Sequence, residues 1–193
     1  MTQTITHWID GAPYEGDPAG RIPVENPATG KVDAELLAAS KADLDHAVAV
    51  ARAAQKKWAK VSLAKRTAIM FKMRELVLAN QDALAKSIVN EHGKDYGDAL
   101  GEIQRGRETL DFACGINAAL KGEYSFDIAT GVDIHTVRQP VGVVAGICPF
   151  NFPVMVPMWM HPVALATGNA FILKPASPTP TASLLMADLY KQA

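Results

Sequence analysis

The sequence has no surplus of charge of either sign: 19 Lys and Arg stand against 20 Asp and Glu, a net charge of -1. A surface so balanced offers no field to draw nucleic acid or an anionic membrane, and both partner classes are expected to be absent. Cysteine is scarce. Cys114 and Cys148 are the two present, without CxxC or CxxH spacing, which argues against a disulfide framework and a zinc site and leaves both expected to be reduced. His135 and His161 lack a second ligand at metal spacing, so no metal is expected. Although 49% of the residues are hydrophobic, charges interrupt them before any run nears the roughly 20 apolar residues of a membrane span. The opening MTQTITHWIDGAPYEGD lacks both the basic-then-apolar layout of a signal peptide and the Arg-rich character of a transit peptide, so a cytoplasmic location is expected. There is no internal repeat, no low-complexity tract and no G-x-G-x-x-G phosphate loop.

What is present begins with residues 1–30, rich in Gly, Pro and Asn, which favour turns and short extended pieces and read as a wrapping arm. Ser40 with Asp43 resembles a capping box, followed by Leu44, Ala47, Val48, Ala51 and Trp58 at helical spacing. A second helix is expected from Ser62 to Leu78 and a third from Asn80, a good N-cap, to a stop at Gly93. A fourth, from Asp98 to Leu120, puts Leu100, Ile103, Leu110 and Cys114 on one stripe, with Arg107 in the same angular range. Arg105 and Phe112 project on a different side with Glu108 nearby. An aromatic and a cation sharing a face imply a pocket; the plainer reading is a solvated Arg105 paired with Glu108 at i,i+3.

Residues 124–139 alternate around Thr130-Gly131, as in a hairpin. Val141 to Ile147 is a short apolar run with β-branched residues, expected as a strand buried on both faces. A stretch from Val154 to Ala166, a short strand at Ala170 to Leu173 and a helix from Pro180 follow. The order β-α-β-α implies an α/β fold with a parallel sheet begun at Val141. Two parallel strands cannot bury both faces, and the last helical pattern carries no stop signal, so the sheet is expected to be incomplete and the chain truncated.

Ligands of open α/β sheets sit outside the carboxyl ends of the strands. After Ile147 comes Cys148-Pro149-Phe150-Asn151-Phe152-Pro153, where two prolines stiffen the backbone around an amide side chain able to donate to an oxyanion. After Leu173, Lys174-Pro175-Ala176-Ser177-Pro178 puts a cation where a nucleotide-binding fold contacts the adenosine ribose. Taken singly, Asn151 could be a turn residue and Lys174 a solvated surface charge; the two together at adjacent strand ends imply a cofactor edge.

PFNFP at 149–153 followed by Lys174-Pro175 resembles the PWNFP and KP segments of the aldehyde dehydrogenase superfamily. GEIQRGRETLDFACGINAALKGEYS, ATGVD and RQPVGVVAGICPFNFPVMVPMWMHPVALATGN resemble more narrowly its CoA-acylating methylmalonate-semialdehyde dehydrogenase branch. The resemblance implies a helical layer and the start of a Rossmann-like sheet, with residues 1–120 as arm and helices, 121–140 as a β-hairpin oligomerisation arm, and 141–193 as the first two βα units of the NAD-binding domain. Asn151 would be the side-chain donor of the oxyanion hole, and Cys148, Phe150, Lys174, Ser177 and Pro178 would line NAD. Phe152, Met155 and Trp159 would line the substrate tunnel, Met158 and Met160 serving for packing. Arg105 matches a tunnel-facing position, where a guanidinium would suit the carboxylate of a semialdehyde.

The activity so implied is oxidation of malonate or methylmalonate semialdehyde with NAD and CoA, loss of carbon dioxide and formation of acetyl- or propionyl-CoA, by a homo-oligomer. The family's Cys nucleophile and Glu base are expected beyond Ala193. Cys148 is a poor substitute, since it precedes a proline and has no His neighbour; Cys114 falls on an apolar stripe. Ser177 stands where the family usually carries a Glu that accepts from the ribose hydroxyls, which implies some tolerance of NADP. The rival expectations are a subclass that hydrolyses its thioester and a non-catalytic module kept for nucleotide binding or association.

Overall fold

In the computed structural model of the chain, residues 3–193 are described. Five short strands come first: β1 Gln3–Ile5, β2 His7–Ile9, β3 Ala12–Tyr14, β4 Gly20–Asn26 and β5 Lys31–Ala38. β2 and β3 form a separate ribbon, while β1, β5 and β4 lie in that order in one sheet, β1 parallel and β4 antiparallel to β5. Ile5, Val24 and Ala34 turn to the buried side, as the two-residue period of a strand requires. The extended arm therefore continues past residue 30. The Ala, Glu and Leu of β5 favour helix in isolation, but pairing on both edges overrides that preference.

Four helices form the layer above: α1 Lys41–Trp58, α2 Leu63–Ala79, α3 Gln81–His92 and α4 Tyr96–Cys114. The capping box is real, Ser40 Oγ accepting from Asp43 N at 3.2 Å and the Asp43 carboxylate accepting from Ser40 N at 2.9 Å. Asn80 departs from expectation. Its side chain makes no bond to the start of α3 but donates to the Leu76 carbonyl at 2.8 Å, closing α2. Gly93 ends α3 at φ 76°, a backbone that glycine adopts without strain. The fourth helix is shorter than the expected 98–120. It starts at Tyr96, capped by Asp95, and stops at Cys114 before Gly115, because Gly and Asn near 115–117 are weak helix formers.

β6 Tyr124–Ala129 and β7 Val132–His135 make the expected antiparallel ribbon, turning at Thr130-Gly131 with every strand residue exposed. Then follow β8 Val143–Ile147, α5 Met155–Ala166, β9 Ala170–Lys174 and α6 Thr181–Gln192. β8 and β9 are parallel, with Val143 beside Ala170 and Ile147 beside Lys174, which bears out the α/β reading. The strand is not buried on both faces as expected, however. It begins at Val143 after Gly142 at φ 129°, and Ala145 and Ile147 are exposed, Ile147 to 80%, because no element among the described residues covers that side.

The core lies between helices, where Met70, Met73, Val77, Leu84, Ile88, Leu110, Met158 and Met186 are fully or almost fully enclosed. A buried cation joins two of these elements: Arg66 donates from Nε to the Ala166 carbonyl at 2.9 Å and from Nη1 to the Val61 carbonyl at 2.7 Å. It shares the carbonyl end of α5 with the Trp58 indole, which donates to the Leu165 carbonyl at 2.8 Å, and with the Thr167 hydroxyl, which donates to the Val163 carbonyl at 2.8 Å.

Candidate functional site

The carboxyl end of β8 leads through Pro149 and Pro153 into α5, and the segment between is held by two residues of other elements. Lys94, just after the Gly93 stop, donates from Nζ to the Asn151 main-chain carbonyl at 2.9 Å and sits 4.3 Å from the centre of the Phe152 ring. Its ammonium also pairs with Glu102 Oε2 at 2.6 Å, the two side chains being 11% and 1% exposed. The other carboxylate oxygen, Oε1, accepts from Val154 N at 2.7 Å and Met155 N at 3.1 Å. Since α5 has no cap of its own, Glu102 supplies the negative group that the orphan N–H groups and the positive end of the helix dipole favour. This accounts for the missing glycine-rich loop. The anion site that such a loop would present to a phosphate is filled here by an internal carboxylate.

Held this way by its main chain, Asn151 has an exposed side chain without a hydrogen-bond partner among the described residues. Its amide is free to donate at the strand exit. Phe152 is half-buried beneath Lys94, Met155 is buried, and Trp159, one turn further along α5, is 51% exposed. α5 lies close against α4 because position 106 is glycine: a Cβ there would come within 3.0 Å of Met158 Sδ and 3.2 Å of Met155 Cα. Met158 is fully buried, a packing residue as expected. Arg105 and Phe112 are exposed, and no ion pair among the described residues joins Arg105 to Glu108. The solvated-pair reading of Arg105 thus loses its partner.

At the second strand end, Cys148 N donates to the Lys174 carbonyl at 3.1 Å and extends the ladder by one step. Burial pushes the Cys148 thiol up to about 11, against a smaller opposing effect of the Lys174 charge, so it is almost wholly protonated near neutrality and a weak nucleophile. Lys174 itself is exposed and Ser177 half-buried. Phe150 and Pro178, separated by 28 positions in sequence (178 less 150), line one cavity of about 260 Å³ together with His92 and Thr179. The His92 ring stacks on Phe150 with centroids 6.1 Å apart, and burial, then the nearby Lys94 charge, hold its imidazole below the usual range. Glu25 and Glu91 line the same cavity; Glu91 accepts from Thr181 N at 3.1 Å and from the Thr181 hydroxyl, capping α6, while burial raises its carboxyl.

The sequence reading singled out neither Lys94 nor Glu102. The one signal was a glutamate on the buried stripe of α4, between Ala99 and Gly106, a place where an acid is stable only when paired. Among the described residues no cluster of His, Cys, Asp or Glu could hold a metal ion, and no helix is long and apolar enough to cross a membrane.

Malonate-semialdehyde dehydrogenase 2 of Bacillus mycoides (strain KBAB4) is 46% identical over 191 residues, covering 99% of this chain and 40% of that protein. A protein assigned as a methylmalonate-semialdehyde dehydrogenase, from Sinorhizobium meliloti 1021 and complexed with NAD, superposes with a TM-score of 0.97 at 42% identity, over 100% of this chain and 39% of that one. The methylmalonate-semialdehyde dehydrogenase of Oceanimonas doudoroffii gives 0.96 at 41% identity, over 99% and 39%. The chain thus spans about two fifths of the length of these relatives, 40% of the first. The family model described as the aldehyde dehydrogenase family matches residues 14–193, from the end of β3 through both strand ends, and the chain belongs to the aldehyde dehydrogenase family.

Proposed function

We propose that the protein carrying this chain oxidises malonate or methylmalonate semialdehyde with NAD, releases carbon dioxide and passes the acyl group to CoA. The observation that carries the reading is Asn151, whose backbone is anchored and whose amide is free at the exit of β8. The names of the relatives support the substrate class, and the NAD complex supports the cofactor.

In this reading a thiolate adds to the aldehyde carbon, the C–S bond forms, and the carbonyl π pair moves onto oxygen. Asn151 donates its N–H to that oxygen, stabilising charge where it develops. Phe152, Met155 and Trp159 line the aldehyde, and Arg105, exposed on α4, holds its carboxylate in a bidentate pair. Phe150 and Pro178 would offer a dinucleotide apolar contacts from the wall of a cavity that Glu25, Glu91 and His92 also line, and Cys148, Lys174 and Ser177 would add contacts from the two strand ends. A bound NAD would supply the hydride acceptor for the oxidation. The positive end of α5 is already filled by Glu102, so the first βα turn would not be the part that holds a pyrophosphate. The family's Cys nucleophile and Glu base come, in this reading, from outside these 193 residues, and the exposed ribbon β6–β7 joins subunits of a homo-oligomer.

NADH production from malonate semialdehyde by the full-length protein tests the reading, with Asn151→Ala expected to lower kcat by about 10²–10³-fold and residues 1–193 alone expected to make none. Unchanged kcat in Asn151→Ala would overturn the oxyanion assignment. NADH formation that persists without CoA and releases free acid would point to the hydrolytic subclass. Ser177 presents a small hydroxyl instead of a carboxylate to a 2′-phosphate, so some NADP turnover is expected, suppressed in Ser177→Glu by charge repulsion. Negligible NADP use in both forms would remove that part of the proposal.

A further inference from the structure

We infer that Lys94 and Glu102 are positioning residues for the oxyanion donor, a role that rests on the reading of Asn151 above. Together they hold the main chain of residues 151–155 at successive points. Lys94 Nζ takes the Asn151 carbonyl at 2.9 Å and lies 4.3 Å from the Phe152 ring; Glu102 Oε1 takes Val154 N and Met155 N at 2.7 and 3.1 Å. The link between the two side chains, 2.6 Å long and almost sealed from water, makes the four attachments one unit.

A buried ion pair is a weak source of stability, since well-packed apolar residues of similar volume often serve as well. What apolar residues cannot do is fix the rotation of a particular peptide plane. The Asn151 carbonyl is fixed by the ammonium, and the Val154 and Met155 N–H groups are fixed by the carboxylate, so the direction of the Asn151 Cα–Cβ bond follows from contacts on α4 and the α3–α4 turn. Loss of the ammonium frees the 151–152 peptide to rotate and carries the amide away from the developing oxyanion, a displacement of about 1 Å being enough to cost about 10²-fold in rate.

The test uses the full-length protein with Lys94→Met and, as a variant of unchanged size, Glu102→Gln, each alone and combined with Asn151→Ala. Hydrogen exchange at residues 150–156 is measured first, because it is independent of turnover. Exchange in that segment is expected to rise by about tenfold or more in both single variants while exchange in α2 and α3 is unchanged; unchanged exchange at 150–156 overturns the inference. Steady-state kinetics follow. Lys94→Met is expected to lower kcat by about 10–100-fold with the NAD dissociation constant unaltered, and to cause no further loss once Asn151 is alanine. Equal losses in both backgrounds would show that the pair does not act through Asn151. Inactive wild-type protein with the exchange result as expected would instead overturn the reading of the reaction and leave the positioning of residue 151 standing. If Lys94→Met does not fold, Glu102→Gln carries both measurements.

Discussion

At the α4–α5 junction the polar groups that hold the two helices together are enclosed and answered: Glu102 is 1% exposed at its side chain and uses both carboxylate oxygens. The β6–β7 ribbon has the opposite economy. Tyr124, Phe126, Ile128, Val132 and Ile134 are all exposed, from 47% to 78%, and the bonds that shape the ribbon are its own. Asp133 accepts from the Tyr124 hydroxyl at 2.5 Å and from Asp127 N at 2.9 Å, and Asp127 accepts from Gly131 N at 3.0 Å. The junction owes its geometry to residues distant in sequence, whereas the ribbon has local geometry and an apolar surface that nothing among the described residues covers. A two-stranded ribbon of this kind is marginal in water by itself, so the site belongs to the part of the molecule whose rigidity the chain supplies internally.

The sharpest way to separate binding from scaffolding at the junction is Arg105→Leu, which changes the outward side of α4 and leaves Glu102 and Gly106 in place. In the full-length protein it is expected to reduce kcat/KM for malonate semialdehyde by about 2–4 kcal/mol, the loss of a charged hydrogen-bonded pair, and to spare an uncharged aldehyde such as propanal. Equal losses on both aldehydes would mean that Arg105 supports α4 and does not read the carboxylate.

The difference between the two regions also decides what was legible in sequence. Features made by neighbours along the chain were readable: the Ser40–Asp43 box, the Gly93 stop and the turn at Thr130-Gly131. Asn151 and Lys174 were readable because strand ends mark ligand sites whatever surrounds them. The Glu102 bonds to Val154 and Met155 span 52 and 53 positions and the Lys94 bond to Asn151 spans 57; no spacing rule reaches that far. β5 was missed for the same reason, its strand state coming from partners at residues 3–5 and 20–26, not from Ala, Glu and Leu. The expected burial of both faces of β8 failed at Ile147 because apolar composition records what a strand can bury and not which neighbours are present to bury it.

A second probe loosens the junction from behind, where α5 meets α6. His161 Nδ1 lies 2.8 Å from the Tyr190 hydroxyl, and burial pushes the imidazole down to about 3 and the phenol above its usual range, so both stay neutral. On unfolding the imidazole returns to about 6.5. Between those values the unfolded chain binds the extra proton, and stability falls as pH drops from about 6.5 toward 3, with a slope of at most about 1.4 kcal/mol per pH unit. His161→Gln keeps a partner for Tyr190 and removes the titration. Its thermal midpoint is expected to fall less steeply with acid than that of the parent protein, and parallel profiles would show that His161 does not carry the acid sensitivity.

The smallest effect on the chain itself is expected at the ribbon. Phe126 is 78% exposed, and replacing so open a residue by serine should change the stability of the surrounding chain by no more than about 0.5 kcal/mol. Removal of the ring from a buried subunit contact would act elsewhere. Burying a phenylalanine contributes about 1.5–3 kcal/mol, so its loss should raise the subunit dissociation constant by about tenfold or more. Sedimentation of Phe126→Ser in the full-length protein, read beside its thermal midpoint at a concentration where both forms are assembled, separates the two regions. Weaker association at nearly unchanged midpoint is the outcome expected of an arm that is shaped locally and covered by a second copy. Unchanged association would leave the exposed ribbon without the partner proposed for it, and a large drop in midpoint would mean that Phe126 packs within its own chain.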